Sequence, residues 1–279
     1  MSDIQNDPIF NDIMARVANF TIGFLKLKNN GSDEDAICAG SGTLVSVGSS
    51  YGILTASHVL KKLPENEDVG VVRFPTFGAI SQSLKISMAH SEKICMGEEP
   101  FLANGPDIAF LRLPEYAVDA LNTRNIFFNL EKRREEVLSG RHNEKPYLDC
   151  VVGVIDERTK ELPAKIMNTR LKNFEASVEP GKIISTAQFD QFDVHEFEPQ
   201  SDPAYTPPSS YEGMSGSALW RVNCKRDDEG TLSMSNNYIV GVAFHQSCRK
   251  ENKRIIFFHG YKSVYNNLIN KINDSKNSA

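Results

Sequence analysis

The sequence predicts an all-β fold built in two halves and closed by a C-terminal helix. Three observations predict it. Short apolar runs recur at roughly ten-residue spacing, the rhythm of a sandwich or barrel and not of a helical or doubly wound chain. They fall into two series, over residues 20–114 and 147–262, divided by a charged stretch of strong helix formers. The 279 residues, 40% hydrophobic and 24% charged, suffice for one large domain or two packed halves, each with its own core.

Taken in order, residues 1–19 read as an N-terminal extension. TIGFLKL (21–27) alternates apolar and polar residues as a half-buried strand does. SGTLVSV (41–47) and YGILTA (51–56) flank Gly-Ser-Ser, a hairpin signal. VGVVRF (69–74), LKISMA (84–89) and DIAFLRL (107–113) complete the first series. Residues 115–146 form a connector, partly helical, whose end from Gly140 to Pro146 is a polar loop. The second series comprises YLDCVVGVI (147–155), KIISTAQF (182–189), FDVHEFE (192–198), SALWRV (217–222), YIVGVAFH (238–245) and RIIFFHG (254–260). Residues 263–279 are helix and tail: Val264, Leu268, Ile269 and Ile272 share one helical face, and the last residues are expected to fray.

A net charge of -5 argues against whole-surface attraction to nucleic acid or anionic lipid, so neither is an expected partner. KRREE (132–136) has the mixed signs of a solvated helix face. The first twenty residues lack a basic flank leading into an apolar stretch, so no secretory signal is expected. Nothing approaches the roughly 18 consecutive apolar residues of a membrane span. The five cysteines show no C-x-x-C and are expected to be reduced thiols in a cytoplasm, with Cys224–Cys248 the one pair that neighbouring strands could bridge. His90, His142, His195 and His259 have no metal-ligand spacing and read as structural or surface residues; no nucleotide-binding fingerprint occurs. Neither metal nor cofactor is expected.

Three segments carry chemistry. In GSGTLVSVGSSYGILTASHVL (40–60), His58 sits at a strand end, a rigid place for a general base. In GPDIAFLRL (105–113), Asp107 opens an apolar strand, where a buried carboxylate needs a partner such as an imidazole N–H. In YEGMSGSALW (211–220), Ser215 lies in a Gly-bracketed turn that exposes its hydroxyl and frees backbone amides to face an oxyanion, with Gly213 and Ser215 the expected donors. The order is His, Asp, Ser, with gaps of 49 and 108 residues, unlike the subtilisin and α/β-hydrolase orders.

With these motifs the chain resembles the chymotrypsin/trypsin-like serine proteases of the divergent bacterial sort. G-S-G-T-L…L-T-A-S-H resembles the family's His motif, D-I-A-F-L-R-L its Asp motif and G-M-S-G-S its nucleophile motif. V-G-V-A-F-H (240–245) resembles the substrate-binding strand after the serine. The likeness spans residues 20–270. It implies two six-stranded antiparallel β-barrels with the site in the cleft between them, His58, Asp107 and Ser215 as the triad, and a protein or peptide substrate. It also implies Ala243, Phe244 and His245 along one wall of the substrate cleft, Ser209 near the floor of the specificity pocket, and Glu212 at its rim.

One position departs from the family. Digestive and clotting members carry Asp before the nucleophile, paired with a new N-terminus after cleavage; here it is Met214, and no R-I-V-G-G-like sequence is present. Control through a regulatory protein partner is therefore one expectation. A catalytically silent protease-like binding module, or a partner-activated protease in a regulated or defence system, is the alternative to a free-standing endopeptidase. With no Asp near Ser209, a small or medium P1 residue is expected in place of Lys or Arg.

Overall fold

The computed structural model describes residues 9–30, 33–74, 82–97, 105–123, 126–166, 169–189, 192–200, 208–247 and 254–277. The chain opens with helix α1 (Ile9–Ala18), whose Ile9, Ile13, Met14 and Val17 recur at helical spacing and are buried against the second half. Strands β1 (Thr21–Asn30), β2 (Asp33–Val47) and β3 (Ser50–Thr55) follow, the β2–β3 hairpin turning at Gly48 with φ +56°. The short helix α2 (Ser57–Lys62) comes directly after β3. Strands β4 (Asp68–Arg73), β5 (Gln82–Ser87), β6 (Glu92–Cys95) and β7 (Ala109–Arg112) complete the first series.

These strands make one sheet in the order β5-β4-β1-β2-β3-β7-β6, with the two-residue strand β8 (Phe128–Asn129) added beside β2. It folds over Ile22, Phe24, Leu44, Ile53, Leu60 and Leu111, all at most 1% exposed. The expected six-stranded first barrel is corrected here: among the described residues the sheet has eight strands and is not closed. The reason lies between β5 and β6, where a 3-10 turn (Met88–His90) carries the chain across to pair with β7 instead of back onto β5.

The connector holds helices α3 (Glu115–Asn122) and α4 (Leu130–Leu138); the Asn129 side chain caps α4 by accepting the Lys132 amide at 2.9 Å. Then come β9 (Tyr147–Val154), the hairpin β10 (Lys160–Ile166) and β11 (Thr169–Asn173), β12 (Ala176–Gln188), β13 (Asp193–Pro199), β14 (Ala218–Arg226), β15 (Leu232–Gln246) and β16 (Ile256–Gly260). Six of them close a barrel, β12-β13-β16-β15-β14-β9. Trp220 on β14 is fully buried between Phe20 and Phe128, its ring 5.2 and 5.1 Å from theirs, and so ties this barrel to elements of the first half.

A π-helical turn (Ser263–Leu268) leads into helix α5 (Ile269–Asn277). Val264, Leu268, Ile269 and Ile272 are all 0% exposed, the face read from the sequence. The far end reaches the first sheet: Arg112 donates to the Ile272 carbonyl and the Ser275 hydroxyl. Among the described residues no helix is long and apolar enough to cross a membrane. Cys38, Cys95, Cys150 and Cys224 are free thiols; Cys248, and with it the Cys224–Cys248 bridge, lies outside the described residues.

Candidate active site

His58 occupies the first turn of α2, where β3 ends. The preceding Ser57 donates its hydroxyl to the Ile108 carbonyl at 2.8 Å, which ties this turn to the chain segment beside Asp107. Both oxygens of Asp107 then serve His58: Oδ1 accepts the His58 backbone N–H at 2.9 Å, and Oδ2 lies 2.5 Å from Nδ1. Asp107 is 0% exposed and the His58 side chain 22%. Burial pushes the Asp107 carboxyl up, but the His58 hydrogen bond and charge, the His58 amide and His259 outweigh it, leaving Asp107 below the usual carboxylate range.

His259 was expected to be structural or surface and is the residue this site most conceals in the sequence. It lies on β16 of the barrel, 0% exposed, and its Nε2 accepts the Asp107 backbone N–H at 2.9 Å. Phe244 stacks on the ring at 4.0 Å. Burial drives His259 down to about 4, against the pull of Asp107, so the ring is neutral at neutral pH. With Nε2 accepting, its proton sits on Nδ1.

The turn carrying Ser215 repays a count of its amides. Those of Ser209 and Ser210 donate to Glu157, Tyr211 to the Gln246 side chain and Glu212 to the Ser210 hydroxyl. The Met214 amide donates to the Tyr211 carbonyl, Gly216 to Ala243 and Ser217 to Met214. Among the described residues, the amides left without a partner in this run are those of Gly213 and Ser215, the two expected oxyanion donors. The carbonyls are spoken for: Glu212 O accepts from the Asp156 amide at 2.9 Å, Gly213 O from the Ser41 hydroxyl at 2.7 Å and Ser215 O from the Ser41 amide at 2.8 Å. Two glycines allow the path. Gly213 has φ +92°, and a Cβ there would stand 2.7 Å from the Val154 carbonyl; Gly216 has φ +90°, and a Cβ would stand 2.1 Å from both the Ser41 carbonyl and Thr55 Oγ1. Met214 is 1% exposed in the apolar core.

The two parts meet at Gly40. A Cβ there would touch Val59, the residue after His58, at 2.7 Å and the Ser215 carbonyl at 3.1 Å. Among the described residues the Ser215 hydroxyl makes no hydrogen bond, so His58 is bonded to Asp107 and not to Ser215.

A cavity of about 340 Å³ opens at the turn. Glu212, Gly213, Ser215, Ala243 and His245 line it, as do Lys62, Asp156 and Cys38, which the sequence did not single out. Ser209 does not line it: its hydroxyl is held by Glu157 at 2.5 Å. Phe244 does not line it either. The β15–β16 register slips between Ala243 and His245, and Phe244 packs on His259 instead. Burial pushes the Cys38 thiol up to about 12, so it is no nucleophile at neutral pH. Among the described residues no cluster of His, Cys, Asp or Glu is placed to hold a metal ion.

No family model matches the chain, and no curated protein does. Among solved structures it is similar to the Rv3671c protease of M. tuberculosis in its active form, at 16% identity and a TM-score of 0.42, over 90% of this chain and 82% of that one. An inactive serine-to-alanine mutant of Rv3671c matches at 14% identity and a TM-score of 0.42, over 92% and 91%. A structure from a study of the Sesbania mosaic virus VPg protein matches at 16% identity and a TM-score of 0.40, over 88% of each chain. These are distant likenesses.

Proposed function

We propose that the chain is a serine endopeptidase of the trypsin-like kind, acting through His58, Asp107 and Ser215. The observation that carries this reading is a fully buried Asp107 bonded to His58 Nδ1 at 2.5 Å, set next to a turn whose Gly213 and Ser215 amides have no other partner. An imidazole so held keeps its proton on Nδ1 and offers Nε2 as a base. His58 takes the Ser215 proton as Oγ attacks the scissile carbonyl. The Gly213 and Ser215 amides receive the oxyanion, Asp107 stabilises the imidazolium, and His58 protonates the leaving amine. Water, deprotonated by the same imidazole, then releases the acyl group and restores Ser215. No step calls on a metal or cofactor.

The substrate is a protein or peptide whose P1 side chain enters the cavity beside Ala243 and Tyr211. A cavity of about 340 Å³ has room for any side chain, so size alone does not select P1; its charged lining is Glu212, Asp156 and Lys62. The test is proteome-wide mapping of new N-termini produced by wild-type protein against Ser215→Ala, with and without cell extract. Cleavage by purified wild-type protein alone supports a free-standing endopeptidase. Cleavage only with extract assigns activity to a partner-gated form, and no Ser215-dependent cleavage in either arm overturns the reading.

A further inference from the structure

An oxyanion-binding turn has to keep two amides unpartnered, and a glycine at its centre makes its peptide units free to rotate and satisfy them locally. Something has to hold the opposite, carbonyl side of each unit. In this chain no charge does so from the residue before the nucleophile, because Met214 is apolar and packed into the core.

The two amide-bearing units are held by backbone amides, Glu212 O by that of Asp156 and Met214 O by that of Ser217, each at 2.9 Å; the units on either side of Met214–Ser215 are held by Ser41 on β2. Ser41 is 0% exposed and comes from the first sheet, whereas the turn belongs to the second half. Its hydroxyl accepts the Val154 amide at 2.9 Å, so the hydroxyl proton is left to donate to the Gly213 carbonyl at 2.7 Å. Its own amide donates to the Ser215 carbonyl at 2.8 Å, and its carbonyl accepts from Thr55 Oγ1 at 2.7 Å. One residue thus grips the carbonyls on both sides of Met214. In a trans peptide the N–H points opposite to the C=O, so pinning Glu212 O and Met214 O turns the Gly213 and Ser215 amides the other way.

We propose that Ser41 is a positioning residue: by fixing the Gly213–Met214 and Ser215–Gly216 units that flank Met214–Ser215, it keeps the turn in the path on which the Asp156 and Ser217 amides preset the Gly213 and Ser215 amides for an oxyanion, so that the site forms in the uncleaved chain without a charge pair at the nucleophile turn. The proposal rests on the protease reading above, and goes beyond it in saying how the turn is held and that no cleavage is needed to order it.

Two variants test it by different routes. S41A removes the hydroxyl clamp. D156P removes only the amide that holds Glu212 O, relative to D156A, which keeps that amide while losing the same carboxylate. Proline is tolerated there: Asp156 opens a 3-10 turn on the surface, and the preceding Ile155 is extended, at φ −110° and ψ 121°. Kinetics on a peptide drawn from the cleavage map, using full-length protein shown intact by mass spectrometry, are expected to give a kcat lowered about 10- to 100-fold in each variant, with KM held within about twofold. That is less than the 10²–10³ lost when a donor itself is deleted. Crystal structures are expected to show the Glu212–Gly213 peptide rotated in D156P and the Gly213–Met214 peptide rotated in S41A.

An unchanged kcat in both variants, an effect confined to KM, or a peptide that stays put overturns the clamp. Activity that arises only after chain cleavage overturns its preset character. If S41A does not fold, D156P against D156A decides. If wild-type protein hydrolyses nothing, the protease reading fails by itself, and the rotated or unrotated peptide still settles what Ser41 does.

Discussion

Asp107→Asn is nearly isosteric, and the geometry around it dictates the outcome. Oδ1 faces the His58 backbone N–H at 2.9 Å, and a backbone amide can only donate. The asparagine must therefore place its carbonyl oxygen there, since the reverse rotamer sets two donors against each other in a fully buried site. Its NH₂ then takes the Oδ2 position, 2.5 Å from His58 Nδ1 in the wild type. Nδ1 has to become an acceptor, the ring proton moves to Nε2, and the face needed to deprotonate Ser215 is lost. A base in the wrong tautomer costs about 10⁴ in kcat, or about 5 kcal/mol of transition-state stabilisation. The assay is single-turnover acylation at pH 7.5 with a peptide ester, alongside circular dichroism to show the fold intact. A folded D107N variant within tenfold of wild type would refute the reasoning, because His58 would then work without the tautomer Asp107 imposes.

Two further substitutions probe the surroundings. His259 has a folded pKa near 4, below the ordinary 6.5, so the unfolded chain takes up its proton first as pH falls. Its contribution is complete above pH 6.5 and is lost progressively down to pH 4, by about 3 kcal/mol. His259→Gln keeps an acceptor for the Asp107 amide without a titrating ring. Urea unfolding at pH 7 and pH 4.5 is expected to show a smaller drop in stability for H259Q than for wild type, and equal drops would contradict the assignment. Gly216→Ala sets a Cβ 2.1 Å from the Ser41 carbonyl and Thr55 Oγ1 at a backbone φ of +90°. The expected cost is on the order of 4 kcal/mol, read as a fall in Tm of about 10 °C, with acylation abolished.

Much of the fold was legible because the strands carry their own signals. The 41–47 and 51–56 runs with Gly-Ser-Ser between them become the β2–β3 hairpin, and the helical face of Val264, Leu268, Ile269 and Ile272 packs as spaced. Closure was not legible: whether β5 meets β6 depends on long-range pairing that no local pattern encodes. β6, with Ile94 as its one buried residue, and the polar β10–β11 hairpin lack an apolar rhythm and passed unnoticed. Helix α1 did carry a signal, Ile9, Ile13 and Val17 four apart, inside a segment read as an extension.

At the site, the three motifs were readable because each sits in a distinctive local context. Ser209 and Phe244 illustrate where that stops. A loop held by Glu157 and a one-residue bulge in β15 decide which side chains reach the cavity, and neither leaves a mark on spacing. His259 and Ser41 act through a backbone amide and two carbonyls. Their partners are 152 and 172 residues away, and the sequence offers nothing to distinguish them from any strand histidine or serine.

The central claim is that Ser215 is a nucleophile activated by His58. The most direct measurement is reaction of the folded, full-length protein with a fluorophosphonate probe, followed by peptide mapping. The account predicts covalent label on Ser215 in wild-type protein, loss of label in S215A, and strongly slowed labelling when His58 is replaced by Ala. Folded wild-type protein that takes no label at Ser215, with or without cell extract, would contradict it.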